Sequence, residues 1–197
     1  ERELAGLQKD VENEFYLFNL ADNAKLGEKQ GASLYRMVKE VSGRMNVSTP
    51  VVFLDRTSEL RSCALGGQNP SIVFTSGLVD SFPDPAMKAV IGHELGHIIC
   101  EHSFYRLMAE NHQVFAQLAG FIPLLGPVVS FGIVVQLFDW YKKSELSADR
   151  ASLLATGDIT AVQDYILRLA GGSAKLAPEL SLAEFARQAD EFQATVK

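Results

Sequence analysis

Apolar residues recur at three- and four-residue steps early in the chain. Leu34, Met37, Val38, Val41 and Met45, with Lys39, Glu40 and Arg44 between them, predict an amphipathic helix, and the first 45 residues read as helical. Pro50 ends that pattern. Two short apolar runs follow, Val51 to Leu54 and Ile72 to Thr75, rich in β-branched and aromatic residues and separated by Gly66-Gly67 and Asn69-Pro70; they predict strands of a small sheet. Asp84-Pro85 predicts a helix start, because Asp can accept from free N–H groups and Pro fits a first turn where its missing donor is not needed. That helix is expected to run past His102. Further helices are expected over 141–155, stopped by Gly157, and over 159–170, where Ile159, Val162, Ile166 and Leu169 share a face ahead of Gly171-Gly172. Ser181 and Glu184 form a capping-box pattern before Phe185, Ala189 and Phe192. The expected class is α+β, mostly helix with a small early sheet.

With 197 residues, 47% of them hydrophobic, the chain can bury a core, and the absence of repeats or a concentrated linker favours a single domain over 1–197. The net charge of −6, without a long run of Lys or Arg, makes nucleic acid an unexpected partner. Cys63 and Cys100 are too few for a disulfide scaffold and form no Cys-x-x-Cys pair, although one disulfide is allowed by count. Glu1 is not an initiator Met, so any targeting segment ahead of it is not part of this chain and compartment cannot be read from the N-terminus.

From Val114 to Phe138 there are 25 residues without a formal charge, long enough for one membrane span. Pro123, Gly126 and Pro127 sit midway and predict a hairpin instead. Each arm is too short to cross a bilayer, so 114–138 is expected to pack in the core or in a homo-oligomer interface, with peripheral membrane contact as the alternative.

The chemistry concentrates in His93-Glu94-Leu95-Gly96-His97, placed on the helix after Asp84. Residues four apart on a helix differ by about 40° in azimuth, so both imidazoles can face one ion, while Glu94, about 100° round from His93, stands beside the ion as a base. Gly96 inside a helix costs roughly 1 kcal/mol relative to Ala, which implies that something approaches the backbone there. A hydrolytic zinc needs a third protein ligand and an open position. His102 and His112 follow at the wrong spacing, and His102 is expected on the same long helix, more than a turn from the ion. Glu145 is the better third ligand, with Asp149, four residues on, holding a ligand imidazole by its other N–H. Taken alone, the Glu145 segment reads equally as an amphipathic helix with surface acids.

Gly92-His93-Glu94-Leu95-Gly96-His97-Ile98, followed about fifty residues later by Glu145-Leu146-Ser147-Ala148-Asp149-Arg150, resembles family forty-eight of the metallopeptidases, the HtpX-like and CAAX-prenyl-protease-like gluzincins. Ala64-Leu65-Gly66-Gly67 and Ile72 to Asp80 look like that family's substrate-side edge strand and the hairpin leading into its metal helix. The similarity covers roughly 25–172. It implies a zincin-type peptidase domain with one zinc on His93, His97 and Glu145, and a substrate-binding strand at Ser62, Cys63 and Ala64. The family usually carries Asn where Ser62 stands, a side chain associated with holding substrate backbone; a serine offers fewer hydrogen-bonding groups. Some relatives stabilise the oxyanion with a late His or Arg. No His follows His112 here, leaving Arg150, Arg168, Arg187, Tyr141 and Tyr165 as candidates.

The expected function is a zinc-dependent endopeptidase acting on extended or unfolded polypeptide, with Glu94 as general base and substrate paired along the strand near Cys63 to Leu65. The alternative is a zinc-binding module that is silent or latent, chaperone-like, or a scaffold on a membrane or partner. The terminal segment from Leu182 to Val196 is the candidate for self-inhibition.

Overall fold

A computed structural model describes residues 2–67, 69–102 and 126–195. In chain order the elements are α1 (Arg2–Asp22), β1 (Ala24–Lys25), α2 (Ala32–Arg44), β2 (Val51–Asp55), β3 (Ser62–Leu65), β4 (Ser71–Thr75), α3 (Ser76–Ser81), α4 (Asp84–Ile99), α5 (Gly126–Thr156), α6 (Ile159–Gly171), a 3-10 turn (Ala177–Glu179) and α7 (Leu182–Thr195). The α+β class, mostly helical with a small early sheet, is what the pattern predicts.

The first 45 residues are not continuously helical. After Asp22 the chain crosses as β1, which pairs antiparallel with β2, and Gly31, in the left-handed region at φ 61°, launches α2. No apolar periodicity bridges residues 23–31, so nothing would anchor a helix there. Within α2 the predicted stripe holds: Leu34, Val38 and Val41 are buried.

The sheet order is β1-β2-β4-β3, with β2 parallel to β4 from Val51 opposite Ser71 to Asp55 opposite Thr75. All five residues of β4 are buried, as befits a central strand covered on both faces. β3 runs antiparallel to β4, from Ser62 opposite Phe74 to Leu65 opposite Ser71, and forms the rim. Thr75 sets its approach: Oγ1 accepts from the N–H groups of Arg61 and Leu78 and donates to the Glu59 carbonyl. Ser62 therefore leaves a fixed point.

α4 has no polar stripe. From Ala86 to His97 every residue except Lys88 is buried, as expected of a helix enclosed on all sides. Its boundaries correct the prediction twice. Pro83 is the N-cap and Asp84 the first helical residue, without a side-chain cap bond. At the other end the helix stops at Ile99; Glu101 turns left-handed at φ 54°, and the His102 N–H donates to the His97 carbonyl at 2.9 Å. His102 therefore lies off the helix.

α5 starts fifteen residues before the predicted Tyr141, at Gly126, with Pro127 in its first turn, where a missing donor is harmless. It runs unbroken to Thr156, and Gly157 follows at φ 65°. Of the predicted hairpin, residues 114–125 lie outside the described residues and 126–138 are helical. Among the described residues no helix is long and apolar enough to cross a membrane.

α6 matches its predicted span, but of its predicted apolar face only Val162 is buried. Ala161, Val162 and Tyr165 are buried, whereas Ile159, Ile166 and Leu169 are 51%, 37% and 41% exposed. Ala161 leaves little side chain between α6 and the core, and Tyr165 reaches inward. α7 buries none of its residues.

α4 and α5 meet almost without intervening side chains. A Cβ on Gly92 would lie 2.7 Å from Ala155 Cβ, and one on Gly96 would lie 2.6 Å from Ala151 Cβ and 3.1 Å from Ala148 Cα. The Ser152 hydroxyl, fully buried, donates to the Ala89 carbonyl at 2.6 Å and ties the two helices together. The approach that Gly96 implied in sequence is that of a helix. Gly96→Ala is therefore expected to lower stability in urea titration, because overpacking costs about 1–3 kcal/mol and exceeds the roughly 1 kcal/mol gained in helix propensity. A rise in stability would contradict this packing.

Candidate metal centre

One turn of α4 separates His93 from His97, and their Nε2 atoms face each other at 3.0 Å. The close α4–α5 contact sets Glu145 opposite both, with Oε2 at 3.4 Å from His93 Nε2 and Oε1 at 3.5 Å from His97 Nε2. Among the described residues these three side chains form the group able to hold a metal ion. Donor atoms about 2.0–2.1 Å from a tetrahedral ion lie about 3.3 Å from one another. Separations of 3.0, 3.4 and 3.5 Å match that spacing without rearrangement. Two imidazoles and a carboxylate are also donors that suit a divalent transition ion.

The rear of His93 is held by two helices. Its Nδ1–H donates to Asp149 Oδ1 at 2.9 Å, and the Tyr165 hydroxyl, 2.9 Å from the same nitrogen, donates to the same carboxylate oxygen. Burial pushes the imidazole toward neutrality, but the hydrogen bonds with Asp149 and Glu145 outweigh it and raise its pKa to about 9 in the metal-free protein. Burial likewise pushes Asp149 up, and the hydrogen bonds from His93 and Tyr165 overcome it, leaving the carboxyl below its ordinary value. Burial first, then the charge of Asp149, raises the Tyr165 phenol far above its usual range, so it remains a donor.

Glu94 is buried beside the ligands, and the Ser62 hydroxyl on the rim strand donates to its Oε1 at 2.7 Å. The cleft in front has a volume of about 490 Å³, with Val90, Ile166 and Leu169 supplying apolar wall beside Ser62, His93, Glu94 and Glu145. Exposure of Ile166 and Leu169 is thus exposure to this cleft.

Residues 28–180 match peptidase family M48. The chain belongs to that family. Among M48 relatives, the chain is 26% identical over 178 residues to the plastoglobule-localized metallopeptidase 48, chloroplastic, of Arabidopsis thaliana, covering 89% of this chain and 51% of that protein. It is 31% identical over 110 residues to a protease HtpX homolog of Trichormus variabilis, covering 55% of this chain and 36% of that one. With protease HtpX of Legionella pneumophila it shares 35% identity over 68 residues, 34% of this chain and 24% of that protein. The chain therefore spans about half the length, or less, of these M48 relatives. No solved structure matches it significantly.

The structure brings His93, Glu94, His97, Glu145 and Asp149 into one site and sets Ser62 against Glu94. Ala64 instead packs in the core, and Cys63 faces a neighbouring cavity of about 670 Å³ together with Tyr141 and, from α1, Phe15 and Phe18. Cys63 and Cys100 are not joined in a disulfide. Of the other oxyanion candidates, Arg168 pairs with Asp164 and the Ser81 carbonyl, Arg187 pairs with Glu184, Arg150 is exposed, and the Tyr165 hydroxyl is turned to Asp149. No residue of α7 lines the cleft. Two residues named in the sequence take places that its pattern did not indicate: Tyr165, offered there for the oxyanion, supports Asp149, and His102, expected further along the helix, lies against His97. Asp149→Ala is expected to leave the fold intact and weaken zinc binding about 10- to 100-fold, read by competition with a chromogenic chelator; unchanged affinity would remove Asp149 from the site.

Proposed function

We propose that this M48 chain is a zinc endopeptidase that cleaves extended polypeptide lying along the outer edge of β3. The observation that carries this reading is the convergence of His93 Nε2, His97 Nε2 and the Glu145 carboxylate, at 3.0–3.5 Å from one another, with Glu94 adjacent and bonded to the rim strand. A structural ion has no use for such a base, and structural zinc sites are usually closed by four protein ligands.

Zinc, when held by His93, His97 and Glu145, supplies a Lewis acid that acidifies water and polarises a carbonyl. The remaining work belongs to the chain. Glu94 accepts a proton from the attacking water and later delivers it to the leaving amine nitrogen. Ser62, fixed by the Thr75 clamp on Arg61, holds Oε1 of Glu94 and so couples the position of the base to the strand that receives substrate. Asp149 and Tyr165 fix the ring of His93 and leave its Nε2 pointing forward.

β3 is the rim strand of the sheet, and a substrate pairing there would be held through an extended backbone more than through side-chain identity. Unfolded or flexible segments suit that mode, and the apolar wall of Val90, Ile166 and Leu169 suits an apolar side chain beside the scissile bond.

The test is cleavage of an unfolded protein by zinc-loaded wild type beside Glu94→Gln, with zinc content measured in both. Activity is expected to fall by at least about 100-fold in the variant at equal zinc, the scale on which general-base catalysis operates. Equal activity in both would refute the mechanism.

A further inference from the structure

α4 ends in a left-handed C-terminal turn immediately behind its second histidine, of the kind that also closes α2 at Asn46. The Cys100 N–H closes on Gly96, Glu101 takes a left-handed conformation at φ 54°, and the His102 N–H returns to the His97 carbonyl at 2.9 Å. That conformation is uncommon for a residue other than glycine. The turn folds the His102 ring back so that its Nδ1 lies 3.2 Å from Nδ1 of His97, with His97 fully buried and His102 9% exposed. The other side of His102 stands edge-on to Trp140, ring centres 5.5 Å apart, on the helix that carries Glu145. His102 is thus held between the element bearing two ligands and the element bearing the third.

At this distance one of the two Nδ1 atoms donates and the other accepts. Were the proton on His102 Nδ1, neutral His97 would have to carry its own on Nε2, closing the lone pair that faces His93 and Glu145. Were it on His97 Nδ1, His97 Nε2 would be open and His102 would carry its proton on Nε2. Ligand histidines usually fix this choice by giving their second N–H to a carboxylate, a carbonyl or water. His93 follows that rule with Asp149. His97 has the ring of His102 in that place.

We propose that His102 is a positioning residue for metal capture: its Nδ1 accepts the Nδ1–H of His97 and so holds His97 in the tautomer whose Nε2 lone pair faces Glu145. The proposal rests on the metal-centre reading above. It assigns His102 a chemical role as an acceptor, distinct from its packing against Trp140.

Two substitutions in the full chain separate those roles. His102→Asn keeps an acceptor near the position of Nδ1 but loses the ring, and His102→Phe keeps the ring against Trp140 but loses the acceptor. Zinc affinity, by chelator competition, is expected to fall about 10- to 100-fold in His102→Phe and to stay within a few-fold of wild type in His102→Asn. Nitrogen-15 histidine spectra of wild type are expected to show His97 protonated at Nδ1 and His102 at Nε2. His93→Ala serves as the control for the site itself. Wild-type affinity in His93→Ala would overturn the metal-centre reading and this proposal with it. Loss in His93→Ala combined with wild-type affinity in His102→Phe, or with equal losses in the Phe and Asn variants, would overturn the proposal alone, as would His102 protonated at Nδ1 in the zinc-loaded protein.

Discussion

The near-contact of α4 with α5 is the constraint on which the rest depends. Along α4 the residues Ala89, Gly92, His93, Gly96 and His97 form one helical stripe, and along α5 Glu145, Ala148, Asp149, Ser152 and Ala155 form another. Each stripe alternates side chains small enough to let backbones touch with side chains that carry the chemistry. Gly92 and Gly96 lie against Ala155, Ser152, Ala151 and Ala148, and only at that separation can a short Glu145 side chain reach both imidazoles. Each glycine costs about 1 kcal/mol of helix propensity relative to Ala. Burial of α4 between the sheet and three helices offsets that cost.

Burial also sets the electrostatics. Glu94 and His97 are almost fully enclosed, and Glu145 and Asp149 are partly so. Carboxylates in such surroundings need a compensating cation or donor. The His93 Nδ1–H and the Tyr165 hydroxyl donate to Asp149, and the Ser62 hydroxyl donates to Glu94. The arrangement is a cation site in its charge as well as in its distances. The rim strand enters the same network through Ser62, so the site is built from a sheet edge, two packed helices and one residue of α6.

Much of this was legible in the sequence because it rests on local spacing. The His-Glu-x-x-His pattern fixes two donors on one helix face wherever that helix lies, and the four-residue step from Glu145 to Asp149 fixes a second face. Gly96 signalled a close approach, though not what approaches. What stayed hidden depends on tertiary context. Nothing in Ile98-Ile99-Cys100-Glu101 marks a helix stop, so the return of His102 onto His97 left no local signal. The turn of Tyr165 toward Asp149 was hidden because its neighbours Ile166 and Leu169 line a cleft instead of the core. The strand at Ala24–Lys25 is two residues long and exists through pairing with β2, which propensity cannot reveal.

The most direct test of the central claim is X-ray absorption at the zinc edge on the protein loaded with one equivalent of zinc, for wild type and Glu145→Ala. The account predicts two imidazole nitrogens and a carboxylate oxygen in the wild-type shell, with the carboxylate contribution lost in the variant. A wild-type shell without two imidazoles, or one unchanged by Glu145→Ala, would contradict it.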